Sequence, residues 1–229
     1  MSRLNSEFRG PLLCYVTDRH SLSDVKSAEQ QETLLRKINA AAEAGVDWIQ
    51  IREKDLSGKD CSSLTREALV WTAKSSGKNV AARILVNDRL DVALAERAGG
   101  VHLGEKSLPL AEAMRLVENR CDRKDFLIGV SCHSLEAARS AANGGADYLF
   151  FGPVFATPSK AAFGAPQGLE RLAEVCRAVS IPVLAIGGIT LANAGDCLAA
   201  GASGIAAIRL FQDALDISSV VQSLRKLKK

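Results

Sequence analysis

The stretch Ala44-Gly45-Val46-Asp47-Trp48-Ile49-Gln50-Ile51-Arg52-Glu53-Lys54 decides the fold. It begins at a helix end, passes a glycine, enters a short apolar run and finishes in polar residues. A glycine just past a helix suits the left-handed turn that closes it. A short apolar run after that turn suits a strand buried on both faces. Related text recurs at Ala98-Gly99-Gly100-Val101, Gly144-Gly145-Ala146-Asp147-Tyr148 and Ala200-Gly201-Ala202-Ser203-Gly204. The spacing is about 50 residues, roughly two β/α units per step.

Outward from that stretch, the strand candidates are Leu12–Thr17, Trp48–Arg52, Ile84–Asn87, Gly100–Leu103, Leu127–Ser131, Tyr148–Gly152, Val183–Ile186 and Gly204–Ile208. Helical spacing lies between them, as in Leu34, Ile38, Ala41 and Ala42, in Leu64, Ala68 and Trp71, and in Leu169, Leu172, Val175 and Cys176. The alternation predicts an α/β fold, a (β/α)8 TIM barrel, as a single domain over residues 1–229. Its core is expected from about residue 11 to 212, with a C-terminal helix running on to 229. An open doubly wound sheet is the structural alternative.

Composition excludes several classes. Of 229 residues, 47% are hydrophobic and 24% charged, enough for a sizeable core and unlike a disordered chain. A net charge of +3 gives no clustered basic face, so nucleic acid is not an expected partner. The basic end Arg225-Lys226-Leu227-Lys228-Lys229 reads as a solvated helix end. No apolar run approaches the roughly 20 residues of a membrane span, and no secretory leader is seen. The six cysteines form no C-x-x-C pair. A cytoplasmic chain with reduced thiols is expected.

A barrel carries its chemistry where the strands end. Gln50, Arg52 and Lys54 share one face by period-2 alternation. Arg52, Lys54 and Lys160 bring three cations to one mouth, and a diphosphate would offset their repulsion. Bridging to Glu53 and Asp55 is the alternative use of the first two. Gly187-Gly188 follows the seventh strand, where barrels commonly bind a phosphate. His133 is placed as an acid/base group or a phosphate donor, or else as a cap of the fifth helix or a partner for a loop carbonyl. His102 lies within a strand and reads as packed, His20 as solvated. Trp48 and Trp71 read as packing residues. Asp88 is the carboxylate best placed for a hard cation. Cysteine and histidine show no zinc spacing.

At these residues the sequence resembles the thiamine phosphate synthase/TenI family. The motifs are Gln50-Ile-Arg-Glu-Lys54, Val86-Asn-Asp88, His102-Leu-Gly104, Gly129-Val-Ser-Cys-His133, Gly152-Pro-Val-Phe155, Thr157-Pro-Ser-Lys160 and Ala185-Ile-Gly-Gly-Ile-Thr190, in order between about Tyr15 and Phe211. The resemblance implies a transferase in which hydroxymethylpyrimidine diphosphate loses pyrophosphate and a thiazole phosphate takes its place. It implies that Gln50, Arg52, Lys54, Asn87, Ser131 and Lys160 hold the pyrimidine diphosphate. Thr157, Ser159, Gly188 and the backbone of Ile208 and Arg209 would meet the thiazole phosphate. Arg52, Lys54, Ser131, His133 and Lys160 are the catalytic candidates. Asp88 would bind Mg2+.

Three positions depart from the family pattern. Ser159 replaces a threonine and keeps the hydroxyl. Arg209 stands where a small serine is common. Glu105-Lys106-Ser107 stands where the family carries Gln-Glu-Asp, so the second metal ligand falls to Ser107 or Glu105. The alternative within this resemblance is a thiazole tautomerase using His133, and a third reading is a non-catalytic thiamine-phosphate-binding regulatory protein. The implied partners are small phosphorylated pyrimidine and thiazole ligands, without nucleic acid or membrane. A homodimer is compatible with the chain.

Overall fold

The computed structural model describes residues 10–22, 29–74, 82–120, 125–157 and 165–227. Ser159 and Lys160 lie outside these residues. The strands are β1 (Leu12–Val16), β2 (Trp48–Ile51), β3 (Arg83–Asn87), β4 (Gly100–Leu103), β5 (Leu127–Cys132), β6 (Tyr148–Phe151), β7 (Val183–Ile186) and β8 (Gly204–Ala207). All adjacent pairs are parallel, and β8 pairs back onto β1 through Leu12↔Gly204 and Cys14↔Ala206, closing the barrel. That closure excludes the open doubly wound sheet.

Helices wrap the outside: α1 (Gln30–Ala44), α2 (Gly58–Lys74), α3 (Leu90–Ala95), α4 (Leu110–Glu118), α5 (Leu135–Asn143), α6 (Gly168–Ala178), α7 (Ala194–Ala199), α8 (Arg209–Gln212) and α9 (Ile217–Arg225). Alternation along each strand divides the core into two layers. Leu12, Cys14, Val16, Trp48, Leu85, Leu127, Tyr148, Phe150, Leu184 and Ala206 form one buried cluster that fills the barrel. The intervening residues, such as Leu13, Ile49, Ile84 and Leu149, pack outward against helices. Trp48 belongs to the barrel filling, and Trp71 packs half-buried on the helix layer.

Four strands stop one residue short of their expected ends, and β5 runs one residue further, to Cys132. Thr17, Arg52, Gly152 and Ile208 each lie just beyond a strand. The ladder ends there because the neighbour's register has run out: the last β1–β2 pair is Val16↔Gln50. The repeat needs one correction. Gly45, Gly145 and Gly201 are left-handed, with φ of 90°, 91° and 101°, but in the copy at residues 98–101 Arg97 makes that turn, with φ of 53°. Gly99 is required for space instead, because a Cβ there would run into the Arg83 side chain.

The far end of the barrel is latched by Arg225 on α9. Its guanidinium donates to Asp47 Oδ1 at 2.8 Å, to the Gly45 carbonyl at 2.7 Å and to the Pro11 carbonyl. Asp47 also accepts from the Leu13 N–H at 2.7 Å. Burial pushes the Asp47 carboxyl up, against the pull of Arg225. Removing the cation leaves a half-satisfied buried carboxylate. Arg225→Ala is therefore expected to cost about 2 kcal/mol of stability, read by urea unfolding near neutral pH. An unchanged midpoint would show that the latch contributes nothing.

Candidate active site at the barrel mouth

Four strands in succession present a polar side chain to the upper interior. Register places Asn87 beside His102, and Gln50 and Ser131 extend the row on either side. Gln50 Nε2 donates to Asn87 Oδ1 at 2.8 Å. His102 lies between the Tyr148 hydroxyl, 3.1 Å from Nδ1, and Ser131 Oγ, 2.8 Å from Nε2. The opposite side, formed by Val16, Phe150, Ile186 and Ile208, is apolar. One half of the mouth can thus hydrogen-bond a ring while the other packs against it. Gln50 Oε1 is the buried side-chain atom without a hydrogen-bond partner among the described residues. A bare acceptor of this kind costs about 1–3 kcal/mol until a donor reaches it.

His102 is fully packed, as its strand position predicted. Burial pushes its imidazole down to about 3; the Asp88 charge opposes this and the Arg52 cation adds to it. The ring is neutral near pH 7.

Arg52 and Lys54 follow β2 on a loop held by an ion cluster. The Glu53 side chain, between them in sequence, is fully buried. It accepts from Thr17 Oγ1 at 2.6 Å, from the Arg19 N–H at 3.0 Å and from Arg19 Nη1 at 3.0 Å. Thr17 Oγ1 in turn accepts the Arg52 N–H at 2.9 Å. Arg19 also reaches Asp55 at 2.8 Å, holding that carboxyl well below the usual carboxylate range, and His20 adds a contact at 3.0 Å. Glu53 and Asp55 therefore pair with Arg19, which the sequence motifs do not include. His20 itself is 60% exposed, as expected.

Asp88 lies just past β3 with a left-handed φ of 62°. It accepts from Asn87 Nδ2 at 2.7 Å, from the Gly104 N–H at 3.3 Å and from the Ser107 hydroxyl. Of the two candidates for a second metal ligand, the fold brings Ser107 to Asp88. Glu105 is 70% exposed and stands 3.9 Å from His133 Nε2. Among the described residues no cluster of three or more His, Cys, Asp or Glu forms a metal cage. The Asp88 carboxylate and Ser107 hydroxyl are nonetheless hard oxygen donors. They suit Mg2+, which takes few protein ligands and completes its shell with phosphate and water.

His133 Nδ1 bonds the Gly152 carbonyl. A carbonyl only accepts, so Nδ1 carries a proton in that bond and Nε2 is the nitrogen turned toward Glu105. Across the mouth, Gly187 and Gly188 have φ of 94° and 69°. A Cβ on Gly188 would lie 2.7 Å from Phe155 Cβ and 2.8 Å from the Ala156 carbonyl. Its absence lets the loop bearing Thr157 close onto the loop after β7. Asn193 braces that loop, donating to the Gly188 carbonyl at 2.9 Å and accepting from the Thr190 N–H at 2.8 Å. Ile208 and Arg209 open α8 beside it, since β7 and β8 are neighbours.

Comparison with known proteins agrees with this geometry. A family model described as thiamine monophosphate synthase matches residues 13–211. A thiamine-phosphate synthase of Methanoculleus marisnigri is 45% identical over 185 residues, covering 81% of this chain and 83% of the relative. One from Methanocella arvoryzae is 44% identical over 187 residues, covering 82% and 84%. The solved thiamine phosphate pyrophosphorylase of Pyrococcus furiosus superposes with a TM-score of 0.77 at 34% identity, covering 96% of each chain.

Proposed function

This chain belongs to the thiamine monophosphate synthase family and is a thiamine-phosphate synthase-type transferase, and we propose that it joins hydroxymethylpyrimidine diphosphate to a thiazole phosphate at its barrel mouth. The observation that carries the assignment of the pyrimidine subsite is the bare acceptor Gln50 Oε1. An aminopyrimidine supplies the missing N–H donor, and its ring suits a mouth that is polar on one side and apolar on the other.

In the reaction the methylene C–O bond breaks and its electron pair leaves with pyrophosphate. The thiazole nitrogen then forms the new C–N bond with its lone pair. The chain's task is to hold the departing charge and align the two rings. Arg52 and Lys54, with Lys160, face the diphosphate, and Asn87 and Ser131 complete its cradle. The clip through Glu53 keeps the loop of Arg52 and Lys54 from collapsing when charge leaves. Thr157, Ser159, Gly188, Ile208 and Arg209 hold the thiazole phosphate. Asp88 and Ser107 would hold Mg2+, which when bound supplies positive charge against the pyrophosphate oxygens. The reading places the protein in the cytoplasm, where the free thiols of Cys14, Cys61, Cys132, Cys176 and Cys197 persist.

The test is direct. Folded protein given both substrates and Mg2+ is expected to release pyrophosphate and form the coupled product. No product above a catalyst-free control overturns the reading. A tautomerase reading rests on the His133 ring at the mouth, oriented by its bond to the Gly152 carbonyl. It requires metal-independent isomerisation of a carboxythiazole phosphate that disappears in His133→Gln.

A further inference from the structure

The polar row continues downward into the barrel through Tyr148, a residue outside the family-like motifs. Tyr148 is fully buried on β6, and its hydroxyl touches His102 Nδ1 at 3.1 Å. Room for that hydroxyl exists because residue 129 is glycine: a Cβ there would collide with the phenol. Trp48 packs against the Tyr148 ring at 4.6 Å, and Phe150 lies 4.1 Å from the His102 ring. Both polar rings are thus held in place by aromatic packing. The far nitrogen, Nε2, meets Ser131 Oγ at 2.8 Å at the mouth.

The direction of these bonds follows from counting protons. Among the described residues, His102 Nδ1 is the hydrogen-bond partner recorded for the buried phenol. If Nδ1 carried the ring proton, the phenol hydrogen would have nowhere to go, at a cost of about 1–3 kcal/mol. With Nδ1 unprotonated, the phenol donates to it and every proton is used. The neutral ring then carries its hydrogen on Nε2, which donates to Ser131 Oγ. With an oxygen lone pair occupied in this way, the Ser131 hydroxyl has its own hydrogen to give.

We propose that Tyr148 and His102 are positioning residues that fix the Ser131 hydroxyl as a hydrogen-bond donor, aimed at an acceptor oxygen of the diphosphate. This rests on the reading that Ser131 faces that ligand. It makes the mouth polar in a defined sense. Gln50 offers an acceptor on one side and Ser131 a donor on the other. A ligand presenting an acceptor opposite Ser131 meets the hydrogen that the His102 bond leaves free. A neutral relay also keeps positive charge out of the ring pocket and leaves it to Arg52 and Lys54.

Two measurements decide the matter. In the ligand-free protein near pH 7, 15N NMR of the imidazole is expected to show His102 protonated on Nε2, with Nδ1 bare. A proton on Nδ1 overturns the proposal whether or not the protein is active. The second is a double-mutant cycle on kcat/KM. Tyr148→Phe, which keeps the ring, is expected to lower kcat/KM about tenfold in the unaltered background and to change it little in Ser131→Ala, because the two act as one unit. Independent, multiplying losses would mean that Tyr148 only supports the fold. If Tyr148→Phe does not fold, the NMR result on the unaltered protein decides by itself. If the unaltered protein turns over no substrate, the synthase reading falls while the tautomer still judges the relay.

Discussion

Arg52→Ala is expected to lower kcat/KM by about two to three orders of magnitude, with little change in thermal unfolding. The magnitude is that of removing one preorganised group from a site where charge develops, about 3–4 kcal/mol. Stability is spared because the loop is anchored by other groups. The Arg52 backbone N–H, Glu53, Thr17 and Arg19 make the clip, and all remain in the variant. Arg52→Lys keeps a charge but loses the planar fork, so it should recover part of the rate. Steady-state pyrophosphate release measures both variants. A loss below tenfold in Arg52→Ala would show that the departing charge is held elsewhere.

The second large effect is acid lability. His102 has an ordinary value of 6.5, and burial lowers it to about 3 in the folded barrel. The unfolded chain therefore takes up the proton first. The contribution is fully present above pH 6.5 and is lost as pH falls from there toward about 3. Over that window it reaches about 4 kcal/mol, since a difference of one bound proton changes stability by about 1.4 kcal/mol per pH unit. His102→Gln cannot protonate. The gap in unfolding free energy between the two proteins should therefore shift in favour of the variant as pH falls. Parallel curves for the two proteins between pH 6.5 and 3 would remove His102 as the cause.

Much of the barrel was legible because burial on both faces leaves a mark that repeats along the chain. Short apolar runs after glycine turns marked the strands to within a residue or two. Polar residues at the run ends marked the mouth. Gln50, Asn87 and Asp88 could be placed there because they stand at the ends of strand-like runs, and a barrel's strand ends line its mouth.

The pairings were not legible. Whether Ser107 or Glu105 joins Asp88 depends on how the loop after β4 folds back to β3. Whether Glu53 meets a neighbouring lysine or Arg19 depends on where the chain leaving β1 passes β2. The bond from Arg19 to Glu53 spans 34 residues, and that from Tyr148 to His102 spans 46. Neither distance is a multiple that local patterning records. Even the repeat misled at Gly99, where Arg97 turns the chain and the glycine makes room for a neighbouring strand's side chain.

The sequence by itself determined the α/β alternation and the residue types that end its strands; closure waited on the pairing of β8 with β1. Periodicity is a property of a segment, so it survives without knowledge of the rest. The tertiary structure alone decided which donors meet which acceptors: the Glu53 clip, the Asp88–Ser107 contact, the bare Gln50 oxygen and the hydrogen-bonded row Tyr148–His102–Ser131. Those depend on strand register and loop closure, which bring distant segments within hydrogen-bonding distance and leave no periodic trace in either segment.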